Sequence, residues 1–476
     1  MGERFQVGAA GVLALLMTAC AGVVPGHKEE ARPHDARVFA PLDETTFAAL
    51  PDAPASHRWA GALNGASYRI EVPASGWNGQ LVMWTHGFVS PDQPKQQPAA
   101  PLMRRHLLAK GYAWAASSYS KNGYDVRAGV EDTNALALAF TQIAAERGQV
   151  LAAPRRFFIS GISMGGHIAG AAVERETLAT ARHRVRYAAA LPMCGVMGDS
   201  ALYDYFGAYG LAAAQTAGLP AASFPMKGFT AVSPPIQDTH SATFPAALTP
   251  QGERLKAIVM NLSGGARPFF DEGFASAGMQ KTVWGTFPGD GTAGGILTQN
   301  VVDTRATVYR WTDPAQPPSP AEVWFNANIA RALPAVDANR LRRDGLRWLP
   351  LLKGEFDVPV LTLHTLGDLF VPFHMQQVYR QRAVAQGTDG RLVQRAIRDV
   401  NHCAFTAAEA ADAFDDLVAW TDGGPRPAGD DVATPAVVAA PDYGCRFTRN
   451  AASAQDYAKA DVRAAQQARY PACPKL

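Results

Sequence analysis

Residues 157–167 read Phe-Phe-Ile-Ser-Gly-Ile-Ser-Met-Gly-Gly-His. A short apolar run enters Gly161-x-Ser163-x-Gly165, and the small-residue run Ile168-Ala-Gly-Ala-Ala-Val leaves it. The first run predicts a buried strand and the second a helix, joined by a tight turn. Strand, turn and helix in that order make a nucleophile elbow, which projects the central hydroxyl from the end of a sheet. Glycines flank the serine because a Cβ at either place would collide with the neighbouring strand or helix. The triplet also occurs by chance in ordinary Gly-rich turns, so its weight depends on what the rest of the chain supplies.

Around this elbow, strand-like runs are Arg58–Leu63, Tyr68–Val72, Gln80–Trp84, Ala113–Ser118, Arg156–Ser160, Tyr187–Met193, Val358–His364 and Leu392–Val400. The later runs are largely apolar, as expected for strands covered on both faces. Helical patterns at Leu102–Lys110, Glu131–Arg147, Gly166–Thr180, Met375–Gln386 and Ala407–Thr421 lie between and after them. Strand alternating with helix predicts an α/β architecture, a mostly parallel sheet flanked by helices. The alternation breaks over residues 198–356, a stretch rich in Gly, Pro and aromatics that holds Trp284, Trp311, Trp324 and Trp348. It falls between two strands, so it reads as a large insertion. Its aromatic residues could line a substrate pocket, with Trp284, Trp311 and Trp324 the expected contributors, or form the insertion's own small core.

A serine hydroxyl is a poor nucleophile at neutral pH and needs a general base, which in turn needs an orienting acid. Downstream, Val360-Leu-Thr-Leu-His-Thr-Leu-Gly-Asp368 is a strand followed by a loop bearing an acid. Val400-Asn-His402-Cys-Ala-Phe-Thr is a strand end bearing a histidine. One helix and one strand fit between Asp368 and His402. Asp199, after the sixth strand, is the second candidate acid. His364 in the seventh strand and His374 on the next helix read as packing or surface residues, and His167 as a supporting one. Asp125, Glu131 and Asp132 read as caps or solvating groups at a helix start.

With Ser163, Asp368 and His402 in that chain order, the sequence resembles the α/β-hydrolase superfamily, in which the acid follows the seventh strand and the histidine the eighth. The resemblance covers residues from about 58 to 200 and from 356 to 421. The Asn401-His-Cys-Ala-Phe-Thr406 run before an acidic helix is similar to secreted bacterial serine esterases of that superfamily. It implies an α/β-hydrolase fold with a large cap insertion, and hydrolysis of carboxylic esters through an acyl-enzyme without a cofactor. Backbone N–H groups of Met164, after the serine, and Phe88, in Thr85-His86-Gly87-Phe88 at the third strand's end, are the expected oxyanion donors. Aryl, medium-chain or polymeric esters are the expected substrates. A serine peptidase or amidase of the same fold is the rival enzyme, though neither Glu272 nor Arg267 in the insertion is marked as an anchor for a peptide terminus. A surface-binding protein that kept the fold without the chemistry is the rival from another class.

The chain has 476 residues, 47% of them hydrophobic, and 44 basic against 42 acidic side chains. That near-neutral balance, with no basic stripe, argues against a nucleic-acid partner. Arg4, the apolar run Val7–Met17 and Thr18-Ala-Cys20 read as a signal peptide over residues 1–20, too short to span a membrane. Met17-Thr-Ala-Cys20 resembles a bacterial lipobox, which makes Cys20 the expected lipidation site and a membrane the expected partner through that anchor. Cleavage near Ala19 or Ala21 without a lipid is the alternative. Either way the protein is expected to be exported, as a cell-envelope lipoprotein or as a periplasmic or extracellular protein. Residues 21–40 read as a flexible tether, 41–197 with 357–421 as the core, 198–356 as the cap and 422–476 as a C-terminal extension. Cys194, Cys403, Cys445 and Cys473 remain. An even number in an oxidising compartment suggests two disulfides. Cys445–Cys473 would staple the tail and Cys194–Cys403 would lie by the histidine, although spacing alone leaves other pairings and free thiols open. No Cys-x-x-Cys or His-rich cluster suggests a metal.

Overall fold

In the computed structural model, the described residues are 43–94, 98–287, 289–467, 469–470 and 472–473. The expected signal peptide, Cys20 and the expected tether lie outside them. Eight strands form one sheet: β1 Ser56–Leu63, β2 Ala66–Pro73, β3 Gln80–Thr85, β4 Ala113–Ser117, β5 Arg156–Ile162, β6 Ala189–Met193, β7 Val360–Thr365 and β8 Leu392–Ile397. Their spatial order is β1-β2-β4-β3-β5-β6-β7-β8. The hairpin β1–β2 and the pair β2–β4 are antiparallel, and every later pairing is parallel. Strands β3, β4, β6, β7 and β8 are buried along their whole length. Helices cover both faces, which is why these strands are apolar runs and not alternating ones.

The covering helices are α1 Arg104–Ala109, α2 Val126–Glu146, α3 Met164–Ala171 and α4 Arg175–Thr180 before the insertion. The long helix α2 starts where the Asp125 carboxylate accepts from Ala128 N–H at 3.0 Å. Residues between β6 and β7 form α5 Ala201–Thr216, α6 Phe229–His240, α7 Pro250–Leu262, α8 Phe270–Ala275, α9 Ala277–Thr286 and α10 Pro320–Asn328, with a short hairpin of Ser241–Thr243 and Ala246–Leu248. After β7 come α11 His374–Gln386, α12 Ala407–Thr421, α13 Pro435–Val438 and α14 Ala460–Gln467. Thr406 and Glu409 close a reciprocal capping box at the start of α12,. No helix among the described residues is long and apolar enough to cross a membrane.

The helix expected over Gly166–Thr180 is broken in two. Glu174 has extended dihedrals and pairs in a β-bridge with Phe356, and its buried carboxylate accepts from Gly354 N–H at 3.1 Å and Glu355 N–H at 2.9 Å. Anchoring the strand that leads into β7 takes precedence there over continuing the helix. In the tail, α14 begins only at Ala460. Tyr457 and Ala458 spend their N–H groups on Phe405 O, and the Asp456 carboxylate holds Ala407 and Ser453 N–H. A disulfide joins Cys445 to Cys473 across this tail.

The register Thr85↔Gly161 sets the end of β3 against the turn after β5. A Cβ on Gly165 would sit 2.1 Å from Thr85 O and 2.7 Å from His86 O, both backbone atoms. Gly165→Ala is therefore expected to cost about 3 kcal/mol or more, or to prevent folding, because the backbone must move. Gly278→Ala on α9, where a Cβ meets nothing within 4 Å, is expected to be neutral or to gain about 0.5–1 kcal/mol. Chemical denaturation midpoints of the two variants test the contrast.

Candidate active site

Strand β5 delivers Ser163 into the turn with φ 56° and ψ −124°. Few non-glycine residues adopt such a backbone, and holding it costs about 1–3 kcal/mol. The turn is fixed from outside. Ser163 N–H donates to Met193 O at 3.0 Å, and the Thr85 hydroxyl donates to Gly165 O at 2.7 Å. Helix α3 begins at Met164, whose N–H is one of the groups a helix start leaves without an intrahelical partner,.

Two loops at the same ends of the parallel strands face Ser163. After β7, the fully buried Asp368 carboxylate accepts from Phe370 N–H and Val371 N–H through Oδ1, both at 2.9 Å. Its other oxygen lies 2.5 Å from His402 Nδ1. After β8, His402 turns its Nε2 to Ser163 Oγ at 2.8 Å. A carboxylate can only accept, so Nδ1 carries the ring proton and Nε2 presents a lone pair to the serine hydroxyl. Serine after the fifth strand, acid after the seventh and histidine after the eighth complete the topology. The chain has the α/β-hydrolase fold.

Other elements of this α/β-hydrolase fold support the three residues. The His86 ring, half-buried and stacked 4.0 Å from Tyr119, donates through Nδ1 to Gly87 O at 2.7 Å. In a trans peptide this carbonyl points opposite to the next N–H, so the contact fixes the direction of Phe88 N–H. His364 keeps a neutral ring, with burial pushing its pKa down to about 4. It donates to Val371 O at 2.8 Å and so braces the loop of Asp368. A disulfide joins Cys194 to Cys403, the neighbour of His402. Ser163 N–H lies 3.3 Å from Cys194 Sγ.

The second candidate acid is elsewhere. Asp199 is buried, accepts Leu352 N–H at 3.0 Å and pairs with Arg382 at 2.5 Å. His167 bridges the Tyr124 hydroxyl at 3.0 Å and Pro350 O at 2.8 Å, with burial lowering its pKa to about 4. His374 is buried against Tyr205, and burial takes its pKa to about 3. Glu131 does not cap a helix: it accepts Arg182 and His183 N–H. Asp132 accepts Ser120 N–H, and burial raises its pKa to about 6. Glu272 takes the Tyr470 hydroxyl at 2.9 Å, and buried Arg267 donates to Leu366 O at 2.8 Å.

Ser163 opens into a cavity of about 410 Å³. Its wall is largely apolar and comes from Phe88, Tyr203, Phe206, Phe224 and Phe370, with Gly285, Gly289, Gly291 and Gly294 along one side. Asp290 is its only charged residue among the described lining. Phe370 also meets the His402 ring at 5.5 Å. The expected tryptophans are not in this wall, which corrects the reading from sequence. Trp284 is buried among Tyr209, Phe229, Phe244 and Phe287. Trp311 packs on Phe325, and Trp324 is exposed. The sequence signal for the true wall was weak: Tyr203 and Phe206 lie within an ordinary helix pattern, and Phe370 within the acid loop.

No family model matches the chain. Over 74 residues it is 32% identical to o-phthalyl amidase of Xanthobacter agilis, a match that covers 16% of each protein. Among solved structures it is similar to the rice cell wall degrading esterase LipA from Xanthomonas oryzae, at 16% identity and a TM-score of 0.38 over 75% of this chain and 86% of that one. It is also similar to a thermostable esterase from Pseudomonas putida ECU1011, at 13% identity and TM-score 0.32 over 74% and 76% of the two chains. With the acylaminoacyl peptidase of Pyrococcus horikoshii the values are 8% and 0.36, over 80% of this chain and 44% of that one.

Trp284→Ala is expected to destabilise the protein by about 3–5 kcal/mol, the cost of emptying a packed aromatic site. Trp324→Ala should stay within about 0.5 kcal/mol of the parent. A thermal or urea melt of each variant decides it, and equal losses would contradict the packing described.

Proposed function

We propose that the protein is a serine hydrolase that cleaves carboxylic esters through an acyl-enzyme. One observation carries the reading: His402 bridges Ser163 Oγ at 2.8 Å and the buried Asp368 carboxylate at 2.5 Å. Ser163 attacks the ester carbonyl while His402 Nε2 takes its proton and passes it to the leaving alcohol. Asp368 keeps the proton on Nδ1 and stabilises the imidazolium. Phe88 and Met164 N–H groups stabilise the developing oxyanion. Water then repeats the sequence on the acyl-enzyme. Residues 198–356 act as the cap, and the aromatic wall favours an aryl or medium-chain group, since each Å² of apolar surface buried contributes about 25 cal/mol.

Amide hydrolysis is the second reading, supported by the short similarity to o-phthalyl amidase. The same triad serves both bonds. The two disulfides favour an exported protein,, with Cys20 as the lipid anchor.

Ser163→Ala is expected to lower ester turnover by about 10⁶-fold while the melting temperature holds, because triad members act as a unit. Persistent turnover in that variant would exclude Ser163 as nucleophile. Asp368→Asn should cost about 10⁴ in turnover by favouring the wrong tautomer. Asp199→Asn should instead weaken the fold by roughly 1.5–3 kcal/mol, the loss of a charge-assisted hydrogen bond to the partly exposed Arg382,, with turnover per folded molecule retained. Parallel assays on aryl esters, medium-chain esters and the matching anilides rank the two readings. Faster anilide cleavage would favour the amidase.

A further inference from the structure

The disulfide beside His402 is placed where a structural staple alone need not be. Cys194 directly follows β6, the strand beside the one that delivers Ser163, and Cys403 directly follows His402 in the chain. Among the described residues, Cys194, His402 and Cys403 are the one group of three or more metal-ligand side chains whose donor atoms lie close together, all within 4.8 Å of one another. As a disulfide the two sulfurs cannot bind a cation. Reduced, they are two thiols beside an imidazole.

A tetrahedral site needs its donors roughly 3.5–3.8 Å apart, given zinc–sulfur distances of about 2.3 Å and zinc–nitrogen distances of about 2.0–2.1 Å. The Cα atoms of Cys194 and Cys403 are 5.2 Å apart, so side-chain rotation alone can part the sulfurs that far. The His402 side chain is 21% exposed and Ser163 lines the open cavity, which gives an ion a route inward. Two thiolates and an imidazole suit a soft or borderline divalent ion and discriminate against a hard one such as Mg²⁺. A fourth position is left for water.

We propose that reduction of Cys194–Cys403 converts the centre into a Cys₂His site that takes a thiophilic divalent cation of the zinc class, at the expense of His402 as base. A dithiol supplies the two electrons. The Cys194–Cys403 bond breaks, the dithiol closes to its own disulfide, and both cysteines become thiols. The cation then displaces two thiol protons to solvent and takes one ring nitrogen lone pair of His402. Bound at Nε2, it occupies the lone pair that faces Ser163. Bound at Nδ1, it displaces Asp368, and the ring proton moves to Nε2, which then faces Ser163 as a donor. Either way the imidazole no longer accepts the serine proton. The loss of activity rests on the proposed role of His402, while formation of the site does not.

The test uses the full chain, with Cd²⁺ as probe and Mg²⁺ as control. After dithiol treatment, removal of the reductant under anaerobic conditions and addition of Cd²⁺, a thiolate-to-cadmium charge-transfer band should appear. Turnover should fall roughly 10³-fold or more, the scale of losing the base. A chelator followed by re-oxidation should restore it. The untreated disulfide form should show neither effect, nor should Mg²⁺. Cys403→Ser, which keeps both tail cysteines, should lose the band, and whatever activity it has should not respond to Cd²⁺. An unchanged band in Cys403→Ser places the metal on Cys445 and Cys473 and overturns the proposal, as does no band in the reduced parent. A band that depends on Cys403 with full turnover upholds the site and overturns His402 as base.

Discussion

The close approach of Gly161 and Gly165 to the end of β3 is the constraint on which the arrangement depends. A Cβ on Gly161 would sit 1.9 Å from Thr85 Oγ1 and 2.5 Å from Thr85 O. With no side chain at either position, the β5 turn can press on β3 closely enough for the Thr85 hydroxyl to bond Gly165 O. That contact places Ser163 beside Gly87, where a Cβ would be 3.3 Å from the serine Cβ. The proposed nucleophile and the proposed oxyanion loop are therefore located by one backbone contact, and the turn's unfavourable dihedrals are maintained by packing outside it.

Parallel pairing supplies the rest. Strands β5 to β8 run in one direction, so the loops after them open at one edge of the sheet. Three residues far apart in sequence need only short loops to meet there. The loop of Asp368 is held by its own carboxylate, which accepts two N–H groups of the turn it starts, and by His364 from inside β7. The loop of His402 has less of its own. Thr365 Oγ1 donates to Asn401 O at 2.9 Å, and the Cys403 bridge ties it to the neighbouring strand.

The parallel strands were legible because buried parallel strands are largely apolar runs, the hairpin β1–β2 because its two runs flank a tight turn, and the convergence of Ser163, Asp368 and His402 because each sits at a strand end in an interpretable order. The breaks and the substrate wall were not. Glu174 looks like any helical glutamate, and only its bridge to Phe356 makes it a helix stop. In the insertion, α6 carries Pro234 and Pro235, and α9 carries glycines, so propensity argued against helices that tertiary packing forms. The tryptophans misled because size marks a residue as important without saying which side of a helix faces the cavity. Trp284 and Phe287 pack inward on Tyr209, while Gly285 and Thr286 between them meet the cavity.

Phe370 shows why chemistry and specificity are hard to separate in this fold. Its N–H helps hold Asp368, its ring meets His402 at 5.5 Å, and the same ring meets Phe206 of α5 at 5.8 Å and forms part of the cavity wall. A group bound in the cavity thus packs against a side chain that also covers part of the imidazole. Lower polarity there strengthens the Asp368–His402 interaction. A residue at this position must fit both the cavity and the imidazole, whereas Phe224 and Val302 belong to the cavity wall. On the proposed function, changes in substrate choice would accordingly run more readily through the inserted segment than through Phe370.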